Sequence, residues 1–330
     1  VRTLITITPL GRASFRWYGT SSPMLRGPMT AMVSEPVPLP TTVAGALNWV
    51  FGGGPREGKG LDELHRSLMR VLGCREGAVM KGPYVLVHKA RDPTDWVATC
   101  FHSMGGEFLL CVERGGDEFI VSKEGVQTQS VGVSIDRASK AVIEGWIYTQ
   151  TTTDYRAIAR EVRERLGASE ELAASVAVEV DCGISKAPVK PVARFGGEGF
   201  LARFAASLLN GPTPSEEVSR GECAYVATPL LLSEPGEDIV ELARSSPRDA
   251  VKEVAKLLGV RGPDPATSRI IVGLAPTGYD VAGGRPRPTY PSIMPGTYVC
   301  GAGADVPKPQ WLGYGTVIAL PKKAFNGLRR

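Results

Sequence analysis

Residues 283–320 read GGRPRPTYPSIMPGTYVCGAGADVPKPQWLGYGTVIAL. Two apolar runs stand out, Gly296 to Cys300 and Thr316 to Leu320, each short enough to be a strand. Working backwards, 269–275 reads as a strand, 238–258 as a helix broken near Ser246-Pro247, and 223–232 as an apolar strand. That order, β-α-β-β with a final strand, is compatible with a ferredoxin-like unit. The connecting residues carry chemistry. Arg285 and Arg287 alternate with prolines, which stiffen and extend the backbone. Gly313 and Gly315 remove side chains where a bulky ligand or another backbone comes close, and Trp311 and Tyr314 supply aromatic faces beside them. Amides, rings and guanidinium groups together suit single-stranded nucleic acid. A plain glycine-rich turn between two strands accounts for the same residues.

The composition sets bounds. The chain has 330 residues, 43% hydrophobic and 22% charged, enough for two domains and a sizeable core. No apolar run is long enough to span a membrane, and no signal peptide is visible, so a soluble cytoplasmic protein is expected. Six cysteines, at 74, 100, 111, 182, 223 and 300, form no C-x-x-C pair and no spacing with histidine typical of zinc, so neither a metal nor a cofactor is expected. A disulfide between some pair stays open. The scarcity of Asn and Gln hints at a thermophile, whose cytosol tolerates disulfides. The net charge of +4 is uneven: residues 1–60 carry +4, residues 280–330 carry +5, and the middle is acidic at −5. If the two ends meet, they form a basic surface for a phosphate backbone. Solvated tails are the alternative.

The first half opens with TLITITP at 3–9, an alternating strand. An arginine-bearing loop follows, with Arg12, Arg16 and Arg26 interleaved with Phe15, Trp17 and Tyr18. These residues can contact phosphates and bases, or pack onto the fold. Pro36, Pro38 and Pro40 stop any earlier helix; Thr41 or Thr42 caps the next one, which Gly52 to Gly54 end, with Ala44, Leu47 and Phe51 on one face. Further on, 61–72 reads as a helix, 83–90 as a strand, 106–121 as a hairpin about Arg114–Asp117, 154–166 as an amphipathic helix and 174–180 as a strand. VGVSIDRASKAVIEGWIYTQ at 131–150 alternates around a turn with Arg137 and Lys140. Residues 192–205 read as a strand interrupted by glycines, and Asn210–Pro214 marks a boundary. Together these features predict an α+β chain in two parts, 1–211 and 212–330; the first half allows the same ferredoxin-like unit with long insertions.

Four segments, in order, carry a resemblance: the opening strand with its arginine loop and PLPTTVAGAL; VGVSIDRASKAVIEGWIY; Phe195-Gly-Gly-Glu-Gly199; and the tail with Gly278-Tyr-Asp, Arg285–Pro288, Met294–Tyr298 and Leu312–Thr316. The set resembles the RAMP superfamily of CRISPR-associated proteins, and within it the third-subunit family of Cmr-type (type III-B) effector complexes. The resemblance spans nearly the whole chain. It implies two ferredoxin-like (RRM-like) domains with insertions, in a subunit that binds the 5′ tag of crRNA. It also implies docking between the large polymerase-cyclase subunit and the backbone RAMP subunits, in antiviral defence. The backbone subunits would cut target RNA, so no catalytic residue is expected in this chain.

The sequence holds three histidines, His65, His88 and His102, each in a setting more typical of structure than of acid–base work, and Asp136 and Glu198 are isolated carboxylates. The candidate RNA-binding group is Arg12, Arg16, Arg26, Arg137, Lys140, Arg285, Arg287, Trp311, Gly313, Tyr314 and Gly315. Arginines would hold phosphates and the aromatics would stack on bases. A processing endoribonuclease of the same superfamily and an assembly scaffold that does not contact RNA are the other two readings.

Overall fold

Alternating β-branched residues make Arg2–Pro9 a strand, β1, whose two faces enter different packing environments: Ile5 and Ile7 join one core cluster and Leu4 another. The computed structural model describes residues 1–18, 31–53, 60–104, 108–135, 142–196, 200–232, 236–280 and 285–328. For 18, 31–33, 130–135, 142–150, 236–238, 240, 279–280, 285–286 and 326–328 it describes the backbone alone. After β1 come β2 (Phe15–Tyr18), β3 (Ala31–Glu35), α1 (Pro40–Val50) and α2 (Leu61–Leu72). Then follow β4 (Met80–Lys89), β5 (Asp92–His102), β6 (Phe108–Glu113), β7 (Glu118–Ser122), β8 (Gln127–Ile135), β9 (Val142–Asp154) and α3 (Tyr155–Leu166). The first half ends with β10 (Leu172–Val180), β11 (Val192–Arg194) and β12 (Leu201–Leu209). The second half holds β13 (Cys223–Val226), α4 (Gly236–Ser245), α5 (Pro247–Leu257), β14 (Val272–Pro276), β15 (Thr289–Ile293), β16 (Tyr298–Cys300) and β17 (Val317–Leu320).

An eight-stranded sheet organises the first half, in the order β11-β12-β1-β10-β4-β5-β6-β7. Its pairings are antiparallel, with Ile5 opposite Val178 and Ala206 on either side. One face buries α1, α2 and α3 through Val43, Leu47, Leu68 and Ile158. The other face takes the second half: Tyr84, Phe101 and Leu110 share a cluster with Tyr225, Tyr298 and Phe325. A smaller sheet joins Arg12–Ala13, β9, β3 and β2, with β8 on β9. In the second half β13 lies between β16 and β17, and β15 lies between β14 and Leu230–Leu231.

The chain is mixed α and β with antiparallel sheets, as an α+β reading requires. The core is continuous across the Asn210–Pro214 turn, because Leu231, Ala275, Met294 and Leu312 belong to the cluster built on β1 and α1. Three readings of the sequence need correction, the first being the arginine-bearing loop, of which Arg12–Ala13 and Phe15–Tyr18 are strands because they pair with β9 and β3. Helix α1 starts at Pro40, after an extended Leu39 that makes no side-chain cap, so neither Thr41 nor Thr42 is the cap. Proline at the first helical position has the required φ and no amide to leave unpaired. The long strand β5 was not read from the sequence, because its first half is polar and carries Pro93.

All six cysteines pair, as Cys74–Cys182, Cys100–Cys111 and Cys223–Cys300. Cys100 and Cys111 stand directly opposite on β5 and β6, and Cys223 and Cys300 on β13 and β16.

Candidate nucleic-acid interface

The two basic ends of the chain meet. β2 lies against β14. Phe15, Trp17 and Leu39 share a core cluster with Ala275, Leu312 and Tyr314. The indole Nε1 of Trp17 donates to the Val37 carbonyl at 2.5 Å, which holds the opening segment onto this core. Thr41 Oγ1, in the first turn of α1, is 3.3 Å from the Tyr314 hydroxyl. Residues Tyr279–Asp280 pair with Arg285–Pro286 as a short hairpin, and the Arg287 amide donates to the Gly278 carbonyl at 2.9 Å. The base of this hairpin therefore rests beside the start of α1: a Cβ on Gly278 would come to 3.0 Å from Thr41 Oγ1. Burial pushes the Tyr314 hydroxyl up from its ordinary range, and the nearby Arg287 guanidinium opposes the shift.

The candidate residues do not form one cluster. Arg16, half-buried on β2, and Arg287 belong to the meeting of the two ends. Arg12 is exposed, with its backbone opposite Asp154, at the edge where β9 passes into α3. Trp311 is 48% exposed and lines a cleft of about 290 Å³ with Asp62, His65 and Arg66 of α2. Arg26, Arg137 and Lys140 lie outside the described residues, as does the side chain of Arg285.

Tyr314, Gly313 and Gly315 require correction. The Tyr314 ring is 0% exposed and has no face for a base to stack on. Gly313 and Gly315 are buried. An alanine Cβ at Gly313 would overlap the Gly82 carbonyl oxygen, and one at Gly315 would come to 2.8 Å from Leu230 Cδ1. The close approach that these glycines permit is between parts of the protein itself. The preceding Leu312 sits at φ 60°, an uncommon conformation for a side-chain-bearing residue. Its amide donates to His65 Nδ1 at 3.1 Å, while His65 Nε2 donates to the Ala78 carbonyl at 2.9 Å. A neutral imidazole in a single tautomer thus pins the turn, and burial holds its pKa below the ordinary value.

The other histidines are also internal. His88 Nδ1 donates to the Lys89 carbonyl at 2.8 Å, and Nε2 accepts from Ser175 Oγ at 2.9 Å. His102 is buried edge-on to Trp17, with ring centroids 5.0 Å apart. Its Nε2 is 3.5 Å from Glu35 Oε2. Burial, reinforced by the Lys123 ammonium, holds His102 well below the ordinary range, so the imidazole is neutral and this contact is not an ion pair. The ion pair is Lys123–Glu35 at 2.9 Å, and Lys123 also donates to the Ser103 carbonyl at 3.2 Å. Burial raises the Glu35 pKa, against the pull of Lys123.

This arrangement predicts acid sensitivity. The unfolded chain binds protons at its histidines near pH 6.5, whereas the folded chain resists them. Stability is therefore full above pH 6.5 and falls as the pH drops below it. His102 alone contributes a slope approaching about 1.4 kcal/mol per pH unit. Glu35, raised in the fold, offsets part of the loss at lower pH. Thermal unfolding at pH 7.5 and pH 5.5 should show a lower midpoint at pH 5.5, and His102→Phe should flatten the difference. An unchanged midpoint in the native chain would sink the assignment of a neutral buried His102.

A second cleft, of about 460 Å³, runs between Val79–Lys81 and Val306–Pro309. Within it Glu216 receives Arg2 at 2.5 Å and Lys81 at 3.4 Å. Buried Glu179 accepts from the Tyr84 hydroxyl and the Ser215 amide at 2.5 and 2.7 Å. Among the described residues no group of three His, Cys, Asp or Glu side chains is placed to hold a metal ion. Nor is any helix among them long and apolar enough to cross a membrane.

No protein-family model matches this sequence, and no curated protein matches it. Solved structures do resemble its fold. One is a chain of the type III-B Cmr-beta complex bound to cognate target RNA, with a TM-score of 0.55 and 18% identity, covering 91% of this chain and 86% of that one. Another is a chain of the same complex bound to cognate target RNA and AMPPnP, with a TM-score of 0.53 and 15% identity, covering 90% and 86%. At these identities the likeness establishes a shared fold along almost the whole chain.

Proposed function

We propose that this protein is a non-catalytic subunit of a type III-B CRISPR RNA-guided effector complex. It holds the 5′ tag of crRNA and docks the large polymerase-cyclase subunit to the backbone RAMP subunits. The observation that carries the reading is the fold-wide likeness to Cmr-beta chains over 90–91% of the sequence. The meeting of the two basic ends supports it, since this brings β2 with Arg16 beside the tail that carries Arg287. Strand order supports two RAMP-type ferredoxin-like units, 1–211 and 212–330. β12-β1-β10-β4 and β17-β13-β16 each place the first strand between the third and fourth. In the second unit an isolated Arg269–Tyr298 bridge extends the order beyond β16. In both, the described residues between third and fourth strands form no long helix, and the sequence there is glycine-rich.

The burial of all three histidines favours a binding subunit over a nuclease that needs an imidazole at its surface. Arg16 and Arg287 would position phosphates, and Trp311 would offer a ring to an unstacked base. The test is binding of the full chain to labelled RNAs, tag-bearing and scrambled, at low and high salt. The tag RNA should be preferred and left uncut. Arg16→Ala or Arg287→Ala should weaken both RNAs and lower the salt slope by roughly one. Trp311→Ala should weaken binding by about 1–3 kcal/mol. Equal affinities in wild type and all three variants would overturn the RNA interface and leave the scaffold reading.

A further inference from the structure

The far end of the large sheet has an unusual surface. β11 is its last strand and, among the described residues, pairs with β12 alone. Registers of Val192 with Arg203 and Arg194 with Leu201 put these four side chains on one face, while Ala193 and Ala202 turn into the core. Val192 is 46% exposed and Leu201 47%. Just before β11 the chain bonds to the end of α1, which packs on the opposite, Ala193–Ala202 face of the sheet. The Val189 amide donates to the Val50 carbonyl at 2.9 Å, Val189 is 60% exposed and Trp49 is 49% exposed. Val192 and Leu201 thus share an exposed apolar face at the sheet end, with Val189 and Trp49 exposed around its corner, a place that monomeric proteins ordinarily cover or make polar.

The cations there have a consistent character. Arg194 and Arg203 are exposed, and among the described residues neither has an ion pair or side-chain hydrogen bond. Their diagonal register sets the two residues' Cα atoms about 7–8 Å apart. Apolar centre, tryptophan and arginine rim match the composition of protein–protein interfaces. RNA fits this face less well. The Trp49 ring is already covered by the Lys190 ammonium, 3.4 Å from its centroid, and the aliphatic groups have no counterpart in a sugar–phosphate chain.

We propose that the β11–β12 end of the large sheet is a docking face for another protein subunit, one presenting an apolar patch bordered by Asp and Glu carboxylates. This rests on the effector-subunit reading but uses other side chains than Arg16 and Arg287, at a sheet end that adjoins β2 through the Phe15–Phe195 ring contact at 5.0 Å. In the test the full chain is co-expressed with the remaining complex subunits and their RNA. Val192 is replaced by a photo-crosslinking phenylalanine, and the purified assembly is irradiated and mapped by mass spectrometry. The expected adduct joins position 192 to a protein subunit, next to acidic residues. Val192→Asp/Leu201→Asp should lower the affinity of the chain for the assembly at least about tenfold. Arg194→Glu/Arg203→Glu should do the same and should be sensitive to salt. Both positions are half-exposed, so the melting temperature of the isolated chain should not change. An adduct to RNA, an adduct within the same chain, or no adduct would overturn the inference, as would full assembly of both double variants. A wild-type chain that enters no complex would overturn the effector reading as well.

Discussion

Gly313→Ala is expected to lower the stability of the chain by about 4 kcal/mol, through two costs that act together. Gly313 has φ +90°, where an L-residue is strained by about 1–3 kcal/mol. The added methyl would also overlap the Gly82 carbonyl oxygen, and relieving the overlap by moving backbone costs about 1–3 kcal/mol more. Little slack exists around the site. The Gly313 carbonyl accepts from Thr228 Oγ1 at 2.7 Å and Thr316 Oγ1 at 2.8 Å, and Thr316 Oγ1 in turn accepts from the Gly82 amide at 2.9 Å. Any shift of the turn therefore strains a buried network that joins β4 to the tail. Gly115→Ala is the control, because Gly115 has φ +69° with open space around its Cβ direction. Chemical denaturation of both variants separates conformational strain from overlap. If Gly313→Ala were no worse than Gly115→Ala, the close packing of the tail on Gly82 would be wrong.

The second large effect is on the disulfides. The bridges close loops with sequence separations of 108 residues for Cys74–Cys182 and 77 for Cys223–Cys300, but only 11 for Cys100–Cys111. On a chain-entropy account the two long loops contribute about 4–5 kcal/mol each and the short one about 3. Cys74→Ala/Cys182→Ala should therefore destabilise the chain more than Cys100→Ala/Cys111→Ala, with the difference visible in the denaturation midpoint. Alkylation without reductant should label none of the six cysteines of the folded chain. Labelling of any of them in freshly purified protein would refute that bridge. The prediction also bears on where the chain works, since three stable bridges call for an oxidising compartment or a thermophile cytosol.

Much of the local structure was legible. Apolar spacing marked α2 over residues 61–72, and the same residues form it, with Leu61, Leu68 and Leu72 buried. Alternation marked β1 and the 131–150 pair, apolar runs marked many of the other strands though not β2, β3 or β15, and Ser246-Pro247 marked the break between α4 and α5. The paired glycines of the hairpin around Arg114–Asp117 appear where expected, between β6 and β7. Strand β5 was missed for a physical reason: its first half faces solvent and carries Asp92, Pro93 and Asp95, so only its second half shows a strand pattern. The candidate site was legible in part. The basic ends meet, but Arg12 and Trp311 stand apart from Arg16 and Arg287. Arg194 and Arg203 passed unnoticed, although both alternate with alanines that point inward, which is the signal that they share an outer face.

From the sequence alone came the period of each element, the basic charge of both ends and the glycine positions where the chain must bend or be approached closely. These are local quantities, set by side-chain shape and spacing within a few residues. Only the tertiary structure decided which aromatic faces outward. Trp311 and Tyr314 lie three residues apart in the same motif, yet one is half-exposed and the other is sealed under Thr41 and Pro276. The same holds for the cysteines, whose partners are set by strand register, and for Gly313, whose neighbour Gly82 is far away in sequence. Burial is a property of the surface that arrives from elsewhere in the chain, and no local pattern records which surface that is.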